Sequence, residues 1–419
     1  VITLPVLLGK RRLGEYAAVT SAEALMALRW RAQPLAGLRV LHLSASPFGS
    51  AVAEMLSALV PLQRELGILA DWQVAHELPR ICTQFYEGLR GDDVRWGWKE
   101  RAAWFRMAHA SAGTIPRGYD VVVAHDPQAL ALFRAVPGAD RARWIWHCHL
   151  DTRAANPEFW SDLSRTLEGY AAALFPSARL TRTDVPVPHI GIARPGLDPW
   201  SLRNIPLSRG VVESVLAGFG IDPQRPILAQ FAPIDHRFAP LGALGTYWLV
   251  RRHVPAVQIV LAEVGQTDPE RRRSGVDQIA EAAAGDPDIH LITNDVELGP
   301  TEINALERAC TVALQMAVPR GFGWGLAECL WKERPGIVGQ HGELPDQVGD
   351  AGYVVDAAPA ARDAVLRLLS DPVRAAQLGQ AGHDRVVNEF LITGTASDYV
   401  DLLREVAVDA APSLGRLGW

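Results

Sequence analysis

The chain has 419 residues, 48% of them hydrophobic and 21% charged. That is enough for about two to three domains and excludes a disordered chain or a collagen-like repeat. With 41 basic and 47 acidic residues the formal net charge is −6, which argues against nucleic-acid binding through a broad basic face. Cys82, Cys148, Cys310 and Cys329 lie far apart with no C-x-x-C pair. That spacing predicts neither a disulfide framework nor a cysteine zinc site, and a reducing cytoplasm fits it. The opening stretch VITLPVLLGKRRLGEY makes a poor signal peptide, and no apolar run reaches the roughly 18 residues of a membrane span.

In chain order, residues 1–36 form an N-terminal segment with one helix near 20–33. Leu38–Ser44 reads as a strand buried on both faces, followed by the small-residue loop Ala45–Ala51 and a helix over Val52–Leu66. This strand–loop–helix pattern recurs. Strands are predicted at Trp72–Ala75, Asp120–Ala124, Trp144–Leu150, Ala173–Phe175 and His189–Ile192, with helices ending near Phe133 and over Glu158–Tyr170. The composition of Ala193–Pro226 (Pro, Gly, Asp and Ser) suggests a linker, taken as 201–225. A second series follows, with strands from Pro226, Val257, His290, Val312, Gly336 and Tyr353, and helices close the chain. Alternating strands and helices predict two Rossmann-like parallel-sheet domains, at 37–200 and 226–390, facing a central cleft, with a C-terminal helix in 391–419 packing back on the first.

In such sheets ligands bind beyond the carboxyl ends of the strands. Four loops therefore hold the candidates. Gly49 and Ser50 precede a helix, where amides could meet an anion. His125, Asp126 and Gln128 follow a strand, and Asp126 stands where it would cap the next helix. His147 and His149, two apart on a strand, share a face; no third metal ligand is visible at a matching spacing, so His149 with Asp151 reads better as substrate recognition. Gly321, Phe322 and Gly323 sit at a helix start, with Glu328 one turn in.

The run RGFGWGLAECLWKERPGIVG resembles a signature of retaining GT-B glycosyltransferases of the sucrose-synthase and glycogen-synthase-like class (family four). AHDPQALAL, WIWHCHLD, NPEFW, EINALERA and LQM resemble the trehalose glycosyltransferring synthases, colinearly from about residue 9 to 405. The resemblance implies a GT-B fold and transfer from a nucleotide-diphosphate sugar (UDP, GDP or ADP type) with retention and no metal. It also implies partners limited to that donor and a small acceptor, neither nucleic acid nor membrane, with a homodimer in keeping with the family. By the same resemblance His149 and Asp151 are catalytic. Gly49, Ser50, Gly321, Phe322, Gly323 and Glu328 bind the donor, and His125, Asp126 and Gln128 stand on the acceptor side.

The departures lie on the donor side. Pro233 and Phe238 occupy the positions of the family's phosphate-gripping Arg and Lys. Arg320 stands for the first glutamate of its E-x7-E motif, and only Gly49 survives in its first glycine-rich loop. Arg237 and Arg320 are the replacement cations this reading expects, guanidinium being suited to phosphate or carboxylate. The changes suggest a glycosyltransferase of specialised, antibiotic-type metabolism, with a thiol or carboxylated acceptor as one example. The alternatives are a trehalose synthase joining NDP-glucose to glucose and a non-catalytic GT-B-like binding protein.

Overall fold

The computed structural model describes residues 3–75, 79–238, 240–265, 269–293, 298–317 and 321–409. The chain forms two compact units: Val1–Gly196 with Ile392–Trp419, and Leu197–Leu391.

The first unit carries strands β1 (Thr3–Pro5), β2 (Arg39–Ser44), β3 (Leu69–Ala75), β4 (Val121–Ala124), β5 (Arg143–His147), β6 (Ala172–Phe175) and β7 (His189–Ile192). They form one sheet in the order β1-β3-β2-β4-β5-β6-β7. Every pairing is parallel except β1 with β3. Continuous apolar strands such as VVVA of β4 and AALF of β6 are buried on both faces, the pattern a helix-covered parallel sheet requires. Two helices that the sequence reading did not place, Pro79–Arg90 and Trp98–Ala112, bring aromatic rings to one side of the sheet. Phe85, Trp96, Trp104 and Phe159 pack there with ring centroids 4.5 to 6.4 Å apart.

The second unit carries β8 (Ile227–Ala232), β9 (Gln258–Glu263), β10 (Ile289–Ile292), β11 (Val312–Gln315), β12 (Gly336–Gly339) and β13 (Gly352–Val355). Its sheet is all parallel, in the order β10-β9-β8-β11-β12-β13. The helix Trp324–Trp331 lies so close to β8 that a Cβ on Gly325 would stand 2.3 Å from the Phe231 carbonyl oxygen, so glycine there serves packing. The stretch read as a linker is folded instead. Ser208 caps the helix Arg209–Gly218, and the Asn204 side chain donates to the Asp198 carbonyl at 3.0 Å. Its turn-forming composition marks tight local structure here, with polar side chains spent on caps and turns.

Two α/β units with parallel-dominated sheets are what the expected GT-B fold requires. Among the described residues, no helix is long and apolar enough to cross a membrane.

Candidate active site

The carboxyl ends of β2, β4 and β5 bring four imidazoles together in the first unit. His42 lies within β2, in register with Val123 of β4. His147 ends β5, and His149 stands beyond the strand end. The strand ends at His147, short of the Leu150 that the sequence suggested, yet the two rings lie together as expected, with centroids 4.0 Å apart. His125, just past β4, sits in the middle. Its Nε2 is 3.0 Å from His42 Nδ1 and its Nδ1 is 3.0 Å from His149 Nε2. His42 Nε2 lies 2.8 Å from Gln63 Oε1 on the helix Ala51–Glu65. His147 Nδ1 lies 2.6 Å from the hydroxyl of Tyr399, on the helix Ile392–Leu403.

Burial sets the charge of this cluster. His42, His125 and His147 are buried, whereas His149 is only partly covered. Desolvation pushes His42 down to about 4 and His149 to about 3, and holds His125 and His147 well below the usual imidazole range. The four rings are therefore neutral at pH 7. His125, His147 and His149 each offer a ring nitrogen within 4.8 Å of the others, so the fold supplies the third potential metal ligand that spacing had hidden. Neutral imidazoles are the metal-binding form. Here His125 already spends both ring nitrogens on neighbouring imidazoles.

The other candidates in this unit are held by local partners. Asp126 occupies the N-cap position of the helix Pro127–Leu130 but makes no cap bond. Its Oδ2 accepts from the Ala45 amide at 2.6 Å and its Oδ1 from the Tyr86 hydroxyl, so it ties the loop after β2 to the helix Pro79–Arg90. Burial raises its carboxyl above the usual range. Asp151 takes the Arg153 guanidinium on both oxygens at 2.9 Å and the Arg153 amide at 3.0 Å. Ser50 Oγ accepts from the Ala53 amide at 3.1 Å and so caps the helix Ala51–Glu65, while Gly49 turns the loop at φ +73°. Gln128 lies in the helix Pro127–Leu130, and its side chain is outside the described residues.

The second unit collects charge instead. Glu328, on the helix Trp324–Trp331, is buried with its carboxylate accepting from the Arg203 guanidinium. Glu307 accepts from Lys332 Nζ at 2.7 Å and lies 3.7 Å from Arg203. Lys332 also donates to Asn204 Oδ1 at 3.0 Å. Burial, with the Glu328 charge beside it, pushes Glu307 up. Arg237 repeats the arrangement of Arg153. Its amide and Nε donate to Asp235 Oδ1 at 2.9 and 3.0 Å, and its Nη2 reaches Oδ2 at 2.5 Å. Asp235 is fully buried, so the expected replacement cation brings its own counter-ion. The Gly323 amide donates to Gln347 Oε1 at 3.0 Å and is not offered to a sugar as expected. Gly321 is buried and Phe322 packs on Trp324 and Phe390, with ring centroids 5.3 and 5.1 Å away. Arg320 lies outside the described residues.

The family description "Trehalose synthase, N-terminal domain" matches residues 42–182, the segment holding all four imidazoles. A trehalose synthase from Rubrobacter xylanophilus is 33% identical, covering 91% of this chain and 94% of its own length. One from Pyrococcus horikoshii is 29% identical over 95% and 97%. The chain belongs to the trehalose synthase family. It is thus a GT-B glycosyltransferase of the family-four type. The α,α-trehalose 6-phosphate synthase from Burkholderia multivorans superposes with a TM-score of 0.70 at 12% identity, over 90% of this chain and 100% of that one, a likeness of fold.

Within this family member, the sequence reading missed His42, Gln63, Tyr399, Arg203, Glu307 and Lys332. A signal existed for His42, a polar residue in the otherwise apolar run LRVLHLS, since a buried polar group demands a partner. Nothing local marked Tyr399 or Arg203, whose partners lie more than 100 residues away.

Proposed function

We propose that this protein transfers glucose from a nucleotide-diphosphate glucose to glucose, with retention, forming trehalose. The observation that carries this reading is the 33% identity to a trehalose synthase over 94% of that enzyme's length. It favours a glucose acceptor over the thiol or carboxylated acceptors of specialised metabolism. It also favours an enzyme over a GT-B-like binding protein.

In this reading the first unit recognises sugar hydroxyls through His149 and the loop that Asp126 holds, and the second carries the nucleotide. The leaving diphosphate gains negative charge as the acceptor attacks the same face, so donors aimed at it lower the barrier. Arg237, compensated by Asp235, gives directional hydrogen bonds but little net field, because an ion pair acts at a distance as a dipole. Glu328, held by Arg203, then acts by orienting the helix that faces the nucleotide. Transfer without a metal is part of this reading; of the three imidazoles that could share an ion, His125 has both ring nitrogens on neighbouring imidazoles.

Incubation with UDP-, ADP- or GDP-glucose and unlabelled glucose, in the presence of EDTA, tests this. The expected outcome is α,α-trehalose from at least one donor, read by carbon-13 NMR. Turnover of a donor only onto a small thiol would overturn it, as would hydrolysis alone or no turnover of any donor.

A further inference from the structure

We propose that His42 and Gln63 are positioning residues that fix the tautomer of His149 through His125, leaving His149 Nδ1 as a bare lone pair for a sugar hydroxyl. The assignment of that hydroxyl to a sugar rests on the reading above; the tautomer does not.

Three neutral imidazoles joined nitrogen to nitrogen share a constraint that none has alone. Each ring carries one N–H and one lone pair, and each contact needs one of each. The proton position on any ring therefore dictates the other two. Gln63 Oε1, which can only accept, stands 2.8 Å from His42 Nε2, so that nitrogen carries the hydrogen. His42 Nδ1 must then accept from His125 Nε2–H, 3.0 Å away. His125 Nδ1 must in turn accept from His149 Nε2–H, again at 3.0 Å. What remains is His149 Nδ1 without a hydrogen.

The chain has a direction in space as well. Gln63 is 1% exposed, His42 0% and His125 3%, and only His149 at the far end is partly uncovered. A buried amide thus sets which way a partly covered ring can hydrogen-bond. The burial that keeps the rings neutral is a condition of the scheme, because a protonated ring would donate from both nitrogens and break it. Gln63 meets the chain through its oxygen, while its Nε2 has no hydrogen-bond partner among the described residues; an amide turned the other way would donate to His42 and leave His149 protonated at Nδ1, the outcome that tautomer NMR separates.

The test compares His42→Asn and His42→Leu in the full chain. Asparagine can place Oδ1 near the position of Nδ1 and still accept from His125; leucine cannot. Two-bond proton–nitrogen NMR on histidine-labelled protein reads the tautomers directly. In the wild type His149 should be protonated at Nε2 only, in His42→Asn unchanged, and in His42→Leu shifted toward Nδ1–H. Kinetically, losing one hydrogen bond to a bound sugar should raise its KM about tenfold in His42→Leu at nearly constant kcat, with most of the loss recovered in His42→Asn.

A fall in kcat with KM unchanged would mean that no hydrogen bond to the bound sugar depends on His42, and would overturn the proposal. So would a wild-type His149 protonated at Nδ1, or a His149 tautomer insensitive to His42→Leu. Stoichiometric Zn²⁺ shifting His125, His147 and His149 together would overturn it in favour of a metal site. If His42→Leu does not fold, Gln63→Leu, remote from His149, repeats the measurement. Should the wild type make no trehalose, the proposed function fails while the NMR still decides the tautomer.

Discussion

Each unit buries a polar cluster, and the two are built on opposite principles. The first holds four neutral rings whose order comes from hydrogen-bond direction. The second holds two carboxylates, a guanidinium and an ammonium whose order comes from charge balance. Neutral rings cost little to bury but leave their polarity open to chemistry. Paired charges are expensive to bury and, once satisfied, hold their helices in one arrangement. The comparison teaches that the glutamate which looked like a ligand-binding group is committed internally. The histidines, readable as core residues or as metal ligands, form a system that ends partly exposed.

Removing one charge should separate the clusters most sharply. Lys332 is fully buried against Glu307 and Asn204. Lys332→Met leaves two carboxylates facing one guanidinium, and breaking a buried pair in this way costs about 3–5 kcal/mol. Urea denaturation at pH 7 should show the loss. Adding Glu307→Leu should recover much of it, because an apolar replacement of both partners is often neutral. Additive losses in the double variant would mean that the pair is not the unit of stability.

Titration should distinguish the clusters by sign. The first unit's imidazoles have depressed values, to about 4 for His42 and about 3 for His149. The unfolded chain binds protons near pH 6.5 while the fold refuses them. The stability they confer is complete above pH 6.5 and is lost as the pH falls toward 4, by about 1.4 kcal/mol per pH unit for each ring. Glu307, pushed up by burial, works the other way and loses stability as the pH rises. Melting temperatures from pH 7 to 5 should therefore fall, and His42→Asn, one ring fewer, should flatten that slope by about one ring's share. An unchanged slope would place His42 outside the titrating set.

The fold class was legible because strand runs such as DVVVA and PILAQFA alternate with helical periods, and parallel sheets demand continuous apolar strands. The site was legible only where chemistry and spacing coincide. His149 stood out because it was read on a strand with His147, close to Asp151, and the fold brings His125 beside it. Asp151 and Arg237 were equally conspicuous, but each is answered two residues away, in Asp151-Thr-Arg153 and Asp235-His-Arg237. A short-range pair of that kind is written in the sequence and could have been read there. The Arg203–Glu328 and His147–Tyr399 contacts could not, because they join segments far apart in the chain through tertiary packing alone.

The smallest effect tests how the two units begin their helices. Ser50 caps the helix Ala51–Glu65 with its side chain, whereas the helix Trp324–Trp331 has no side-chain cap and the Gly323 amide ahead of it goes to Gln347. Ser50→Ala should cost about 1 kcal/mol, the usual worth of such a cap, with the melting temperature as readout. Ser50→Asp keeps an acceptor at the cap and places a negative charge at the positive helix end, so stability should hold or rise slightly. If the donor diphosphate lies on this loop, as the sequence suggested, the new carboxylate repels it, and calorimetry should show weaker binding of UDP, GDP or ADP. If affinity is unchanged in a stable Ser50→Asp variant, the loop after β2 is a cap and a turn, and the phosphates are held entirely by the second unit.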